Sequence, residues 1–217
     1  MDRRERLVFQ INKLANAITL QKLVVVETLM RELQGGNSGE VQLMIEEFLK
    51  KIAPSKLAAT GESFYVAADE NSFVARNNIK LKKDGGIFDY IGDLFYERML
   101  DKGNRVEGSC AEYRLETYEL LEMVSDETIM ESLGGRASTE VTLRGFSNFI
   151  NDLIENNSQV NGRSYIGYIE DKYGQLMAVN VHFNLQGSMN IFAVYLQNPR
   201  NWNKGDIVVV PFPQVSN

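Results

Sequence analysis

Apolar positions along the first fifty residues recur at helical spacing. Leu7, Ile11, Leu14, Ile18, Val25 and Leu29 form one stripe, and Leu23, Val26, Met30 and Leu33 a second. Gly35-Gly36-Asn37-Ser38-Gly39 breaks the pattern, and a second helix carrying Val41, Met44, Ile45, Phe48 and Leu49 follows. The pattern predicts an antiparallel helical hairpin over residues 4–52. Its adjacent valines, Val24 to Val26, need burial on two sides, so residues 4–34 are a candidate surface for a second copy.

From residue 60 to 83 the pattern is that of short strands, with Phe64 and Val66, Phe73 and Ala75, and Ile79 and Leu81 alternating. Helical spacing returns after Gly86 with Phe88, Ile91, Phe95 and Met99. It continues from Ser109, and again from about Ser138 to Asn156 with Leu143, Phe146, Ile150 and Leu153 inward. Tyr165–Ile169, Leu176–Leu185, Met189–Gln197 and Ile207–Phe212 are β-branched and aromatic runs divided by turn residues, which predicts an antiparallel meander of four strands. Its third strand is apolar on both faces and is expected at the centre. The fold class expected is α+β: a helical hairpin over 1–57, then an α+β domain over 58–217 with central helices, short strands and the C-terminal sheet.

With 217 residues, 44% hydrophobic and 24% charged, the composition is that of a globular chain. One cysteine excludes an internal disulfide, and one histidine beside it leaves little vocabulary for a metal site, so no cofactor and no metal are expected. The longest aliphatic stretch near the start, Leu23 to Val26, falls far short of the ~20 residues that span a bilayer, and the expected setting is soluble and cytoplasmic, away from membranes. A net charge of −6 disfavours nucleic acid as a partner. That charge is concentrated: residues 84–131 hold 13 acidic and 4 basic side chains.

Read as helices, this segment places Asp89, Asp93, Glu97 and Asp101 on one face and Glu112, Glu116 and Glu119 on another. Like charges four residues apart cost a helix roughly 0.2–0.5 kcal/mol per pair, so the ridge reads as an interaction surface kept for a basic partner. Trp202, bracketed by Arg200 and Lys204, is a second candidate contact, since tryptophan and arginine dominate binding energy at interfaces. The leading expectation is a non-enzymatic protein-binding or assembly adaptor. A structural subunit of viral or phage type, assembling through residues 4–34, is a further alternative.

An enzymatic alternative uses Cys110 and His182. Ser109 and Glu112 make a capping-box pattern that places Cys110 at the first position of a helix, where the dipole favours a thiolate. His182 on a later strand is the candidate base, and Asn184 the group that orients it. Glu107-Gly108-Ser109-Cys110 together with His182-Phe183-Asn184 resembles, over seven residues, the two signatures of ovarian-tumour-type cysteine peptidases. The resemblance implies a papain-like thiol hydrolase or deamidase. Phosphate-loop, dinucleotide-turn, serine-elbow and zinc-helix motifs are lacking.

Overall fold

A computed structural model of the chain describes residues 56–156, 158, 162–197 and 200–212, all within one unit spanning residues 56–217. The expected hairpin over 4–52 and the candidate self-association surface over 4–34 lie outside the described residues.

Most of the regular structure is strand: β1 Leu57–Val66, β2 Phe73–Val74, β3 Tyr90–Ile91, β4 Val106–Glu107, β5 Tyr113–Leu120, β6 Val124–Ser125, β7 Ser164–Glu170, β8 Leu176–Phe183, β9 Met189–Tyr195, β10 Asn201–Trp202 and β11 Ile207–Pro211. Helices are few and short apart from the last: α1 Ala75–Asn78, α2 Asp93–Phe95, α3 Asp126–Ser132, α4 Arg136–Thr139 and α5 Leu143–Glu155. A 7-stranded mixed sheet runs β1-β5-β11-β7-β8-β9-β3, with parallel pairing at β11/β7 and β9/β3 and antiparallel pairing elsewhere.

This architecture overturns the expected fold class. The central segment is not a set of helices packed beside short strands. The expected helix after Ser109 is β5, the neighbour of edge strand β1 in the large sheet, and that after Gly86 is reduced to β3, α2 and one π-helical turn at Tyr96–Leu100. The C-terminal strands do not form a four-stranded meander either. β7, β8 and β9 follow one another, but β11 returns across them and inserts between β5 and β7. β9 is therefore next to the edge, and the centre belongs to β11 and β7. Their residues Ile166, Ile169, Val208 and Val209 are fully buried or nearly so because both faces of the sheet are covered.

One face packs against α5. Leu143, Phe146, Phe149, Ile150 and Leu153 recur every three or four residues and share a core with Leu115, Tyr165, Ile169, Val179 and Val209. Burying each large apolar side chain contributes about 1.5–3 kcal/mol. Gly167 on β7 permits the close approach: a Cβ there would lie 2.8 Å from Cδ2 of Phe146. The other face, with Leu120, Ile166, Tyr168, Val208 and Val210, is covered by Ile129 of α3 and Trp202 of β10. α5 starts where two acceptors meet its free amides. Thr142 Oγ1 accepts from Gly145 N at 3.0 Å, and the Glu107 carboxylate accepts from Leu143 N and Arg144 N, both at 2.8 Å.

Candidate functional site

Strand alternation divides the side chains of β5 between the two faces. Tyr113 and Leu115 join the core under α5, while Tyr118 and Leu120 join the opposite one. By the same alternation Glu112, Arg114 and Glu116 belong to the face of Tyr118. Across the strand boundary, Val210 pairs with Glu116, and Phe212 N donates to Arg114 O at 2.8 Å. Two lanes result, one charged along β5 and one apolar along β11.

A cleft of ≈800 Å³ opens over these lanes. Its wall comes from Leu133, Ala137 and Ser138, and its far end from Glu140, Val141, Thr142 and Cys110. The turn from α3 into α4 brings the wall into place through Gly134 and Gly135, whose φ values of 93° and 86° suit glycine. The size lies in the range of small-ligand sites.

Charges around the cleft are unequally answered. Glu140 accepts from Arg136 Nε at 2.8 Å, and Arg136 also reaches Glu170 at 2.8 Å. Glu112 instead accepts a hydrogen bond from the Tyr65 hydroxyl, and Glu116 Oε2 accepts from the Tyr118 hydroxyl at 3.1 Å. Neither has a lysine or arginine within ion-pair distance among the described residues. These carboxylates hold their donors' protons: the bond to Glu112 raises the Tyr65 hydroxyl above its ordinary pKa, and burial followed by Glu116 raises Tyr118. Tyr113 is raised by burial, offset in part by its 2.7 Å hydrogen bond with Thr142 Oγ1.

The carboxylates read as one ridge are dispersed. Asp89 joins two elements, accepting from Lys82 Nζ and from Met189 N, both at 2.7 Å. Asp93 opens α2 and Glu97 lies in the π-helical turn, both exposed. These three sit by the β3 edge, five strand spacings from β5, or about 24 Å. Glu119 alternates to the face opposite Glu116 and meets Arg163 at 3.5 Å. Of the seven acidic side chains proposed from Asp89 to Glu119, only Glu112 and Glu116 share a site.

Trp202 is no exposed contact. It is 2% exposed, and its Nε1 donates to Asp126 Oδ1 at 2.7 Å. Its ring folds back over the sheet into the core with Leu120, Ile166 and Val208. Arg200 stacks on that ring with Cζ 5.2 Å from the centroid and remains exposed.

Cys110 does not open a helix. It bridges Asp69 in extended conformation, with Asp69 N donating to Cys110 O at 3.0 Å and Cys110 N to Asp69 O at 2.9 Å. Its Sγ accepts from Nη1 of the buried Arg144 at 3.2 Å. Arg144 Nη2 donates to the carbonyls of Asn71 and Gly108 at 2.6 and 2.8 Å, so its guanidinium ties three segments together.

His182 is elsewhere. Its Nδ1 lies 3.2 Å from Ser164 Oγ, and Ser164 directly precedes Tyr165, which pairs with Ile207 opposite Glu119. That is the Leu120 end of β5, whereas Cys110 lies beyond the Tyr113 end. From the Tyr113 end alone, six residues along β5 and three strand spacings across already amount to about 25 Å, and Cys110 lies beyond that end. Asn184 serves the β8–β9 turn, its Oδ1 accepting from Gln186 N at 2.9 Å and Ser188 N at 2.8 Å. The structure therefore does not bring Cys110, His182 and Asn184 together.

Arg114, Tyr65, Tyr118, Val210 and Phe212 were not among the expected site residues. The period-two alternation of Tyr113, Leu115 and Thr117 was the signal for them. No helix among the described residues is long and apolar enough to cross a membrane. Among them no group of three or more His, Cys, Asp or Glu side chains is placed to hold a metal ion. No protein-family model matches the chain, and neither the curated proteins nor the solved structures contain a match to it.

Proposed function

We propose that the chain is a non-enzymatic protein-binding module that receives a basic segment of a partner protein in the cleft between β5, β11 and α4. The observation that carries this reading is the pairing of Glu112 and Glu116 with tyrosine hydroxyls rather than cations, beside the exposed ring of Phe212. Among the described residues, two glutamates flank the single cation of Arg114 on this face without forming an ion pair, and the net negative charge they leave favours a cationic arrival, with steering making such an encounter fast at low salt. The apolar lane supplies burial that long-range charge alone does not. The separation of Cys110 from His182 leaves the thiol without that base and supports binding over hydrolysis.

The test uses a fluorescent lysine-rich peptide with interspersed leucines and its glutamate counterpart. The reading requires the lysine peptide to bind, binding to weaken as salt rises, and the Glu112→Lys, Glu116→Lys double variant to lose it. Equal binding of both peptides, or unchanged affinity in the double variant, contradicts it.

A further inference from the structure

We infer that the segment held in the cleft lies extended along β5 and presents two long basic side chains four residues apart, with a non-basic residue midway between them. The inference rests on the proposed reading of the cleft and specifies its occupant.

Glu112, directly before β5, and Arg114 and Glu116 on it line the same side of the cleft, because alternate residues of an extended chain share a face. At about 3.3 Å per residue the two glutamates are about 13 Å apart, with the arginine halfway. An extended segment following the strand covers that span in four residues. A helix, rising about 1.5 Å per residue, needs eight or nine. The cation of Arg114 repels a third basic group at the midpoint and favours an acidic or neutral one there.

The second lane selects the side-chain type. Val210, the register partner of Glu116, is buried in the core, and beyond it Phe212, whose N bonds to Arg114 O, puts an exposed ring one strand spacing, about 4.8 Å, from the lane of carboxylates. Phe212 is 41% exposed and available for contact. Lysine and arginine match this cross-section: a methylene stem lies on Phe212 while the charged head reaches a glutamate. A small polyamine shares the charge but supplies no side chain for the midpoint, and it serves as a control.

The experiment is a panel of short synthetic peptides of one composition, differing only in whether two lysines stand two, three or four residues apart. Affinities are read by fluorescence anisotropy at low salt with the full chain. The four-residue spacing is expected to bind about tenfold more tightly than the others, a difference of ~1.4 kcal/mol. Glu112→Gln removes the preference, and Arg114→Ala admits a third lysine at the midpoint. Glu112→Gln and Arg114→Ala change exposed residues, and each is paired with circular dichroism to establish that the fold persists. Equal affinities across the panel, still abolished by Glu116→Lys, overturn the spacing inference and leave the binding reading intact. Failure of every peptide, or indifference to Glu116→Lys, overturns both, and tight binding of spermine alone overturns the extended-segment occupant.

Discussion

Trp202 and Tyr168 converge on one oxygen: the indole N–H donates to Asp126 Oδ1 at 2.7 Å, and the Tyr168 hydroxyl donates to the same atom at 2.9 Å. Asp126 is 1% exposed at the first position of α3, so the pair joins the helix, β7 and β10 beneath the second face of the sheet. Burial and the neighbouring carboxylate hold the Tyr168 hydroxyl far above its ordinary pKa, which keeps it a donor throughout the accessible range.

Replacing Asp126 by alanine leaves two buried donors unanswered. We expect a loss of about 2–5 kcal/mol, since each unsatisfied buried group costs ~1–3 kcal/mol. Tyr168→Phe removes one donor together with one acceptor contact and costs only ~1 kcal/mol. Urea unfolding followed by the fluorescence of the single tryptophan measures both. An Asp126→Ala variant as stable as the parent would falsify this role.

Gly145 sits inside α5, where alanine ordinarily gains a helix about 1 kcal/mol over glycine. Here a Cβ would lie 1.8 Å from Oη and 2.9 Å from Cζ of Tyr113. We expect Gly145→Ala to be destabilising by about 1–3 kcal/mol, overpacking outweighing propensity. Tyr113→Phe in the same chain removes the nearest atom but not the ring carbon, so it restores part of the loss. A rise in melting temperature for Gly145→Ala alone contradicts the packing described.

Acid should release the tie between Lys82, Asp89 and Met189. The hydrogen bond from Lys82 first, then that from Met189 N, holds the Asp89 carboxyl below its ordinary 3.8. Because the folded value is the lower one, this stabilisation is complete above the unfolded value and is lost as pH falls through the folded one. Asp69, lowered first by its backbone and side-chain bonds with Asn71, acts in the same direction. Asp89→Asn should therefore be less stable than the parent at about pH 7, with the difference closing below about pH 4. Urea midpoints across that range decide, and a gap that widens in acid has the wrong sign.

Cys110 and His182 should react independently. Their separation of more than about 25 Å along and across the sheet puts the imidazole out of hydrogen-bonding reach of the thiol. His182→Ala is expected to leave the rate of Cys110 alkylation by iodoacetamide within about twofold, since general-base assistance of ~10²–10⁴-fold is absent. A large fall in that rate would restore the dyad.

Part of this architecture is legible in sequence. β7, β8, β9 and β11 announce themselves as β-branched runs between turn residues, and α5 as an apolar stripe at three-and-four spacing. β5 misleads because four is a multiple of two: Glu112 and Glu116 share a face in a strand as they do on a helix. The alternation that separates the cases is carried by Tyr113, Leu115 and Thr117, amid charges that suggest a solvated helix. The insertion of β11 between β5 and β7 is a long-range pairing, and nothing local in Ile207–Pro211 encodes its neighbours. Asp89 shows the limit for chemistry, because its partner Met189 N is 100 residues away in the chain.

The cleft over Glu112 and Glu116 is the proposed docking place of a basic segment. The most direct measurement is an amide nitrogen–proton NMR titration of the chain with the peptide carrying lysines four residues apart. It predicts shifts confined to residues 112–118, 133–142 and 207–212, abolished by Glu116→Lys. Shifts concentrated instead around Asp89, Asp93 and Glu97, or spread evenly over the surface, would contradict it.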